Sequence, residues 1–282
     1  MAANAIKALI EEGVRLLSAQ SEQPKLEAEI LLSHVTGKSR THFRAFAESE
    51  VTAAEALLYR RLIEQRQSGQ PIAYLTGTRE FWSLNFEVTS DVLIPRPETE
   101  LLVEIALEWI RILPKPRVLD LGTGSGAIPI SIAKERPDAE LTAVELSPNA
   151  LALAKNNAIR LGAPRIRFLL GDWLQALPST ELFDLIVSNP PYISDQDGHL
   201  ESGDLRYEPR SALASGPEGL DAIRTIAREA RAFIRPGGGL ALEHGFQQAP
   251  AIHAILADQG YHSIETRTDL QRHPRVTMAR YA

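Results

Sequence analysis

The stretch that most restricts this chain is Asp120-Leu121-Gly122-Thr123-Gly124-Ser125-Gly126. It follows Arg117-Val118-Leu119, an apolar strand signal, and runs directly into an apolar helix signal from Ala127 to Ala133. Glycine after a strand lets the backbone approach a ligand, and the helix start beyond it supplies free N–H groups. A second strand, Glu140 to Val144, ends in Glu145, about twenty residues past the glycines, where an acid is placed to take two ribose hydroxyls. The chain therefore has to build at least one parallel β-α-β unit, and the pattern reads as a nucleoside site. Two chemistries compete for it. A dinucleotide dehydrogenase shows Gly-x-Gly-x-x-Gly, and position 127 is Ala, which some of these enzymes tolerate. A methyltransferase shows Asp-x-Gly-x-Gly-x-Gly, which residues 120–126 match letter for letter. The sequence favours S-adenosylmethionine as the cofactor.

The alternation continues with a helix from Pro148 to Leu161, a strand from Ile166 to Leu170 and a strand ending at Ser188. Gly171-Asp172-Trp173 closes the first of these strands. Open sheets bind ligands at the C-terminal edge of their strands, so Asp172 and Trp173 fall where an adenine would lie. Asp172 can accept from an exocyclic amine, and Trp173 can offer its face or its backbone N–H. Later come a helix from Glu218 to Phe233, a strand from Leu240 to Glu243, a helix from Gln247 to Ala257 and an antiparallel pair near Ile264 and Val276.

After Ser188 stands Asn189-Pro190-Pro191-Tyr192. Consecutive prolines continue neither strand nor helix, so the chain turns outward there with fixed φ. The turn presents an amide, carbonyls without competing N–H donors, and an aromatic ring. That combination suits a planar NH2 group.

The first ninety-five residues differ. Ile6, Leu9, Ile10, Val14 and Leu17 share a helical face, as do Leu26, Ile30, Leu31 and Val35, with Gly37 as a stop. A third helix starts at Thr52 with Glu55 three residues on, a capping box. We expect a helical bundle over residues 1–76, a β-hairpin linker over 77–95 carrying Phe81, Trp82, Leu84, Phe86 and Val88, and a catalytic domain over 96–282. Up to Asp91 there are 10 Lys or Arg against 12 Asp or Glu. A face that grips a nucleic-acid backbone should be basic, so direct nucleic-acid binding is not expected.

The whole chain of 282 residues carries a net charge of −6 and no Cys, which excludes disulfides, thiolate catalysis and Cys-based zinc sites. Its 7 His include no His-x-x-His or His-x-x-x-His pair, so no metal site is expected. No stretch approaches the roughly 18 apolar residues of a membrane span, and the N-terminus resembles neither a signal nor a transit peptide. A cytoplasmic monomer is the expectation.

With these motifs in place, the chain resembles the protein-(glutamine) methyltransferases that modify peptide chain release factors. The likeness spans nearly all residues. It rests on Pro95-Arg96-Pro97-Glu98-Thr99-Glu100, the run from Asp120 to Gly126, Ser188 to Ile193, Tyr207-Glu208-Pro209 with Ala212-Leu213, Gly219-Leu220, and Glu243-His244-Gly245 with Gln247. Glu145 departs from the family's usual Asp but still reaches a ribose. The resemblance implies a class I S-adenosylmethionine-dependent methyltransferase: an α/β, Rossmann-like seven-stranded sheet with a small N-terminal helical domain. It implies transfer to the glutamine of a Gly-Gly-Gln loop in class-1 release factors. The family's cofactor contacts fall on Gly122, Thr123, Gly124, Ser125, Gly126, Glu145, Trp173 and Asn189, and its substrate contacts on Asn189, Pro190, Pro191 and Tyr192. In this reading Asn189 Oδ1 and the Pro190 carbonyl accept the two amide N–H bonds, and Tyr192 holds the flat amide by stacking. The rivals are a ribosomal-protein glutamine methyltransferase, a DNA or RNA amino-methyltransferase using the same loop on a flipped base, and a non-catalytic S-adenosylmethionine sensor.

Overall fold

The computed structural model describes residues 4–282. It forms two compact units: the chain up to Thr78 together with Ser202–Tyr207, and Arg79–Glu201 together with Glu208–Ala282.

The first unit holds α1 (Ile6–Leu17), α2 (Pro24–Thr36), α3 (Arg40–Ala45), α4 (Ala53–Gln67) and α5 (Ile72–Thr76). The three helices read from periodicity are α1, α2 and α4. α3 and α5 are too short to show a period. The capping box forms: Thr52 Oγ1 accepts from the Glu55 N–H at 3.2 Å, and Glu55 Oε2 accepts from the Thr52 N–H at 2.7 Å. α2 stops at Gly37, whose φ of 66° is left-handed and whose N–H reaches the Ser33 carbonyl. α1 and α4 approach closely at Gly13, where a Cβ would lie 2.2 Å from the Tyr59 hydroxyl. That hydroxyl donates to the Leu9 carbonyl at 3.1 Å, which satisfies a buried polar atom in an otherwise apolar core. Arg66 lies mostly buried between Glu27, at 2.9 Å, and Asp204, at 2.7 Å, and so holds the distant Ser202–Tyr207 stretch within this unit.

The second unit opens with a hairpin, β1 (Thr78–Phe81) and β2 (Leu84–Glu87). Its two-residue turn places Trp82 at φ 53° and Ser83 at φ 57°, the left-handed pair that matches strand twist. Phe81 and Phe86 pack edge to face and are buried in the same core as α6 (Glu100–Ile110). There follow β3 (Arg117–Leu121), α7 (Ala127–Glu135), β4 (Glu140–Glu145), α8 (Pro148–Arg160), β5 (Arg167–Leu170), β6 (Phe183–Ser188), α9 (Arg210–Leu213), α10 (Asp221–Ala230), β7 (Ile234–Glu243), α11 (Ala249–Asp258), β8 (His262–Thr268) and β9 (Pro274–Arg280).

The strands form one seven-stranded sheet in the order β5-β4-β3-β6-β7-β9-β8. β5, β4, β3, β6 and β7 are mutually parallel, and β9 runs against both of its neighbours. A separate apolar cluster covers each face, with Val118, Leu185 and Val187 in one and Leu119, Leu121 and Ile186 in the other. Each of these side chains is fully buried, contributing about 1.5–3 kcal/mol, so the ends of the central strands are firmly anchored. Chain order reverses between β3 and β6. A crevice opens at such a switch point, and the loops after these two strands carry the glycine run and the Asn-Pro-Pro-Tyr turn. No helix among the described residues is long and apolar enough to cross a membrane.

Candidate active site

At the switch point lies a cavity of about 220 Å³. Gly122, Thr123, Gly124, Ser125, Glu145, Asp172, Trp173 and Asn189 all line it. Gly122, Gly124 and Gly126 have φ of 72°, 55° and 83°, conformations that side chains resist. Gly126 is also sterically closed: a Cβ there would stand 2.9 Å from Ile130 Cδ1. It caps α7 rather than lining the cavity.

Two buried polar groups set the shape of the loop. Asn157, fully buried on α8, donates to the Ser125 carbonyl at 2.9 Å and to the Glu87 carbonyl at 2.9 Å, and accepts from the Glu87 N–H at 2.8 Å. It ties the hairpin to the glycine loop. Ser188 Oγ donates to the Leu121 carbonyl at 2.7 Å, joining the ends of β6 and β3. Ser188 opens a motif singled out from the sequence, but Asn157 was passed over, since a buried Asn in a helix looks like any surface polar residue.

Glu145 closes the loop from the other side. Its Oε2 accepts from the Gly124 N–H at 2.8 Å and its Oε1 from the Ser147 N–H at 3.0 Å. Each oxygen keeps a lone pair for a further donor. Asp172 is exposed at the rim. Trp173 is half-buried with a left-handed φ of 46°, and its ring approaches the Gly122 backbone.

Asp120 is the main electrostatic feature. It is fully buried, and neither carboxylate oxygen makes a hydrogen bond of ordinary geometry. Burial pushes its pKa up to about 7, the nearby Thr123 hydroxyl moderates that, and the Glu145 charge adds to it. A cation placed nearby would relieve this strain. S-adenosylmethionine carries a sulfonium and an ammonium, so an orphaned buried carboxylate, a glycine cradle and an acid with free lone pairs fit it. Among the described residues no group of three or more His, Asp or Glu is arranged to hold a metal ion.

On the β6 side, Asn189 and Pro191 line the cavity, whereas Pro190 and Tyr192 do not. Pro190 is buried, and Tyr192 packs against the apolar cluster containing Leu119 and Ile186. Burial raises the Tyr192 pKa, with the Glu243 charge adding to it, so its hydroxyl stays protonated. Asn189 Nδ2 donates to Thr99 Oγ1 at 3.1 Å, while Asn189 Oδ1 is buried without a partner.

The other motif residues brace this turn. Glu208 accepts from the Ile94 N–H at 3.1 Å and pairs with Arg96. Gln248, rather than the exposed Gln247 singled out from the sequence, does the stitching: its Nε2 donates to the Tyr192 carbonyl at 2.9 Å and the Gly219 carbonyl at 3.2 Å. Its Oε1 accepts from the Gly245 N–H at 2.9 Å. Glu243 is buried with its Oε2 unpartnered, and burial raises its pKa to about 7, with the nearby Thr99 hydroxyl and Arg275 charge holding it back.

Comparison with known proteins agrees with this geometry. Two family models match, described as "PrmC N-terminal domain" over residues 8–77 and "Methyltransferase domain" over residues 113–273. The release factor glutamine methyltransferase of Burkholderia pseudomallei is 51% identical over 261 residues, covering 90% of this chain and 91% of that one. The Bordetella pertussis protein of the same description is 49% identical, covering 93% and 96%. That of Escherichia coli is 46% identical over 273 residues, covering 96% and 97%. Among solved structures, a methyltransferase from Pyrococcus furiosus superposes with a TM-score of 0.53 at 18% identity, over 78% of this chain and 96% of that one. A Thermus thermophilus 16S rRNA N2 G1207 methyltransferase, in complex with AdoMet and guanosine, gives 0.52 at 21% over 73% and 50%. These two likenesses establish the fold. The identities over nearly full length establish the family: the chain belongs to the release factor glutamine methyltransferases.

Proposed function

We propose that this enzyme transfers a methyl group from S-adenosylmethionine to the side-chain amide nitrogen of the glutamine in the Gly-Gly-Gln loop of a class-1 peptide chain release factor. The observation that carries the reading is Asn189 Oδ1, a buried acceptor without a partner beside the cofactor cavity. An NH2 group satisfies it, and a hydroxyl or carboxylate substrate would use it less fully. Family membership and the acidic balance of the first ninety-one residues favour a protein amide over a base.

When bound, S-adenosylmethionine supplies a strongly electrophilic methyl carried on a sulfonium. The residues of the chain do the remainder. Gly122, Thr123, Gly124 and Ser125 with Glu145 would seat the nucleoside, Asp172 and Trp173 would border the base, and the buried Asp120 would supply a negative charge that favours a cation nearby. An amide nitrogen is a poor nucleophile because its lone pair is delocalised, so alignment is the main lever, worth about 7–11 kcal/mol when reacting groups are well oriented. Asn189 Oδ1 and the Pro190 carbonyl take the two N–H bonds and turn the nitrogen's lone pair toward the methyl. Pro191 flanks the amide, and Tyr192, packed against the apolar cluster, holds the turn in place rather than stacking on the amide. The alkylated nitrogen is acidic and gives one proton to water, so no general base is needed beforehand. The helical residues 1–76 recognise the release factor, residues 77–95 link, and residues 96–282 catalyse. The enzyme works as a cytoplasmic monomer without direct nucleic-acid contact.

The test is to incubate the protein with labelled S-adenosylmethionine and, separately, a release factor, its Gln-to-Ala variant, a ribosomal protein and nucleic acid. The reading predicts label on the release factor alone, lost with the glutamine. Label on ribosomal protein or nucleic acid in preference to the release factor would overturn it.

A further inference from the structure

We infer that Gln248 is a positioning residue for methyl transfer, holding the Tyr192 carbonyl and through it the turn that presents Asn189 and Pro190 to the substrate amide; the inference rests on the glutamine-transfer reading. Pro190 and Pro191 have no N–H to give, so the turn after β6 depends on carbonyls and side chains for its anchorage. Its two ends are fixed. Ser188 Oγ donates to the Leu121 carbonyl at 2.7 Å, and Ile193 donates its N–H to the Leu213 carbonyl and accepts from the Ser215 N–H, each at 2.9 Å. Between these anchors, Gln248 Nε2 donates to the Tyr192 carbonyl at 2.9 Å.

The Gln248 amide has one workable orientation. Nε2 lies among three carbonyls, those of Tyr192, of Gly219 at 3.2 Å and of Glu218 at 3.3 Å. Oε1 accepts from the Gly245 N–H at 2.9 Å, and the Gly245 carbonyl in turn accepts from the Gln248 N–H and from His244 Nδ1, both at 2.9 Å. A reversed amide would set an oxygen against three carbonyls and an NH2 against an N–H. Gly219 closes in on the same Tyr192 carbonyl: a Cβ there would stand 2.2 Å from its oxygen, at a φ of 70° that favours glycine. Gln248 thus draws the carbonyl into a place that only a residue without a side chain leaves open. Gln248, Gly219 and Tyr192 do not line the cofactor cavity, so the hold bears on the substrate turn and not on the seat of the cofactor.

The test compares Gln248→Glu and Gln248→Met with wild type for kcat on a release factor at saturating cofactor from pH 5.5 to pH 8. Cofactor affinity is read by calorimetry, and thermal unfolding checks that each variant is folded. Met nearly keeps the length of Gln and donates at no pH. Glu keeps the acceptor for Gly245, and it can donate to the Tyr192 carbonyl when protonated but not when ionised. The three carbonyls disfavour its charge and so raise its pKa. At pH 8 both variants should lower kcat by about tenfold or more, because a small displacement of positioned groups is costly in rate. Toward pH 5.5, Gln248→Glu should recover at least about fivefold relative to wild type at the same pH, while Gln248→Met should not recover. The titratable groups around the amide are Glu218, paired with Arg224, and His244, with Glu243 and Arg275 next to it; all are common to wild type, so the ratio at each pH sets their titration aside. Cofactor affinity should stay within about twofold of wild type in both variants at each pH. Wild-type kcat in Gln248→Met, a pH-independent ratio for Gln248→Glu, or a cofactor affinity that falls in step with kcat would overturn the inference. Where Gln248→Met does not fold, Gln248→Glu alone carries the test. A wild-type enzyme that methylates no glutamine would sink the underlying reading and the inference with it; a wild-type enzyme that does so, with Gln248→Glu equal to it at pH 8, sinks the inference alone.

Discussion

Asp120 gives the most demanding test of the electrostatics. Its carboxylate is fully buried with both oxygens unpartnered, and its pKa rises from an ordinary 3.8 to about 7. The sign follows from proton linkage. Between those two values the folded state holds a proton that the unfolded chain has released, so this residue's favourable contribution is complete below the unfolded pKa and is lost as pH rises through about 7. At one pKa unit per 1.36 kcal/mol, the buried charge costs on the order of 4 kcal/mol above pH 7. Asp120→Asn removes that charge at nearly constant shape. It also introduces an amide NH2 without a partner, which costs about 1–3 kcal/mol. The cofactor-free variant should therefore be more stable than wild type by about 1–3 kcal/mol at pH 8, and equal or slightly less stable at pH 5. Urea unfolding of both proteins across this range, without cofactor, measures the difference. It should grow with pH by about 1.4 kcal/mol per unit in the interval where Asp120 titrates. A stability difference independent of pH would refute the reasoning, because it would mean that the carboxylate is solvated or paired in the folded state.

The same buried charge predicts that cofactor binding near pH 7 releases protons. The binding enthalpy should vary with the ionisation enthalpy of the buffer in wild type and much less in Asp120→Asn. Asn189→Ala should leave thermal unfolding unchanged and lower methyl transfer at least about a hundredfold, as for loss of one positioned hydrogen-bonding group; near-normal turnover would remove Asn189 from the reaction. Glu145→Ala should weaken cofactor binding by about 1.5–3 kcal/mol by calorimetry, the range for hydrogen bonds to a charged group. Asn157→Ala breaks three hydrogen bonds, one buried and two partly buried, that join the hairpin to the glycine loop, so it should lower stability by about 2–4 kcal/mol and weaken cofactor binding, both read by unfolding with and without cofactor.

Much of this could be read from the sequence because the signals are local. Glycine and proline punctuate apolar runs whose ends coincide with β3, β4 and β6 to within a residue or two, and such runs have few alternatives to a buried parallel strand. The capping box at Thr52 and the stop at Gly37 are likewise decided by neighbours in sequence. What escaped is long-range. α3 and α5 are shorter than two helical turns and leave no period. The hairpin turn uses Trp82 and Ser83 in place of the Asn-Gly pair that would announce it. Ser202–Tyr207 is held by Arg66 across more than a hundred residues, a pairing that no window detects. In the site, the glycine loop, Glu145, Asp172, Trp173 and Asn189 converge on one cavity, whereas Pro190 and Tyr192 do not line it. The roles of Thr99, Asn157 and Gln248 depend on which donor meets which acceptor, and that is settled only when the strands are in register.

The central claim is that an amide nitrogen of glutamine receives the methyl group. Tandem mass spectrometry of a release factor after incubation with the enzyme and isotopically labelled S-adenosylmethionine tests it most directly. The account predicts one labelled methyl group on the side-chain nitrogen of the Gly-Gly-Gln glutamine, absent when Asn189 is Ala. A methyl group on any other side chain, or one that persists on the same glutamine at full rate without Asn189, would contradict it.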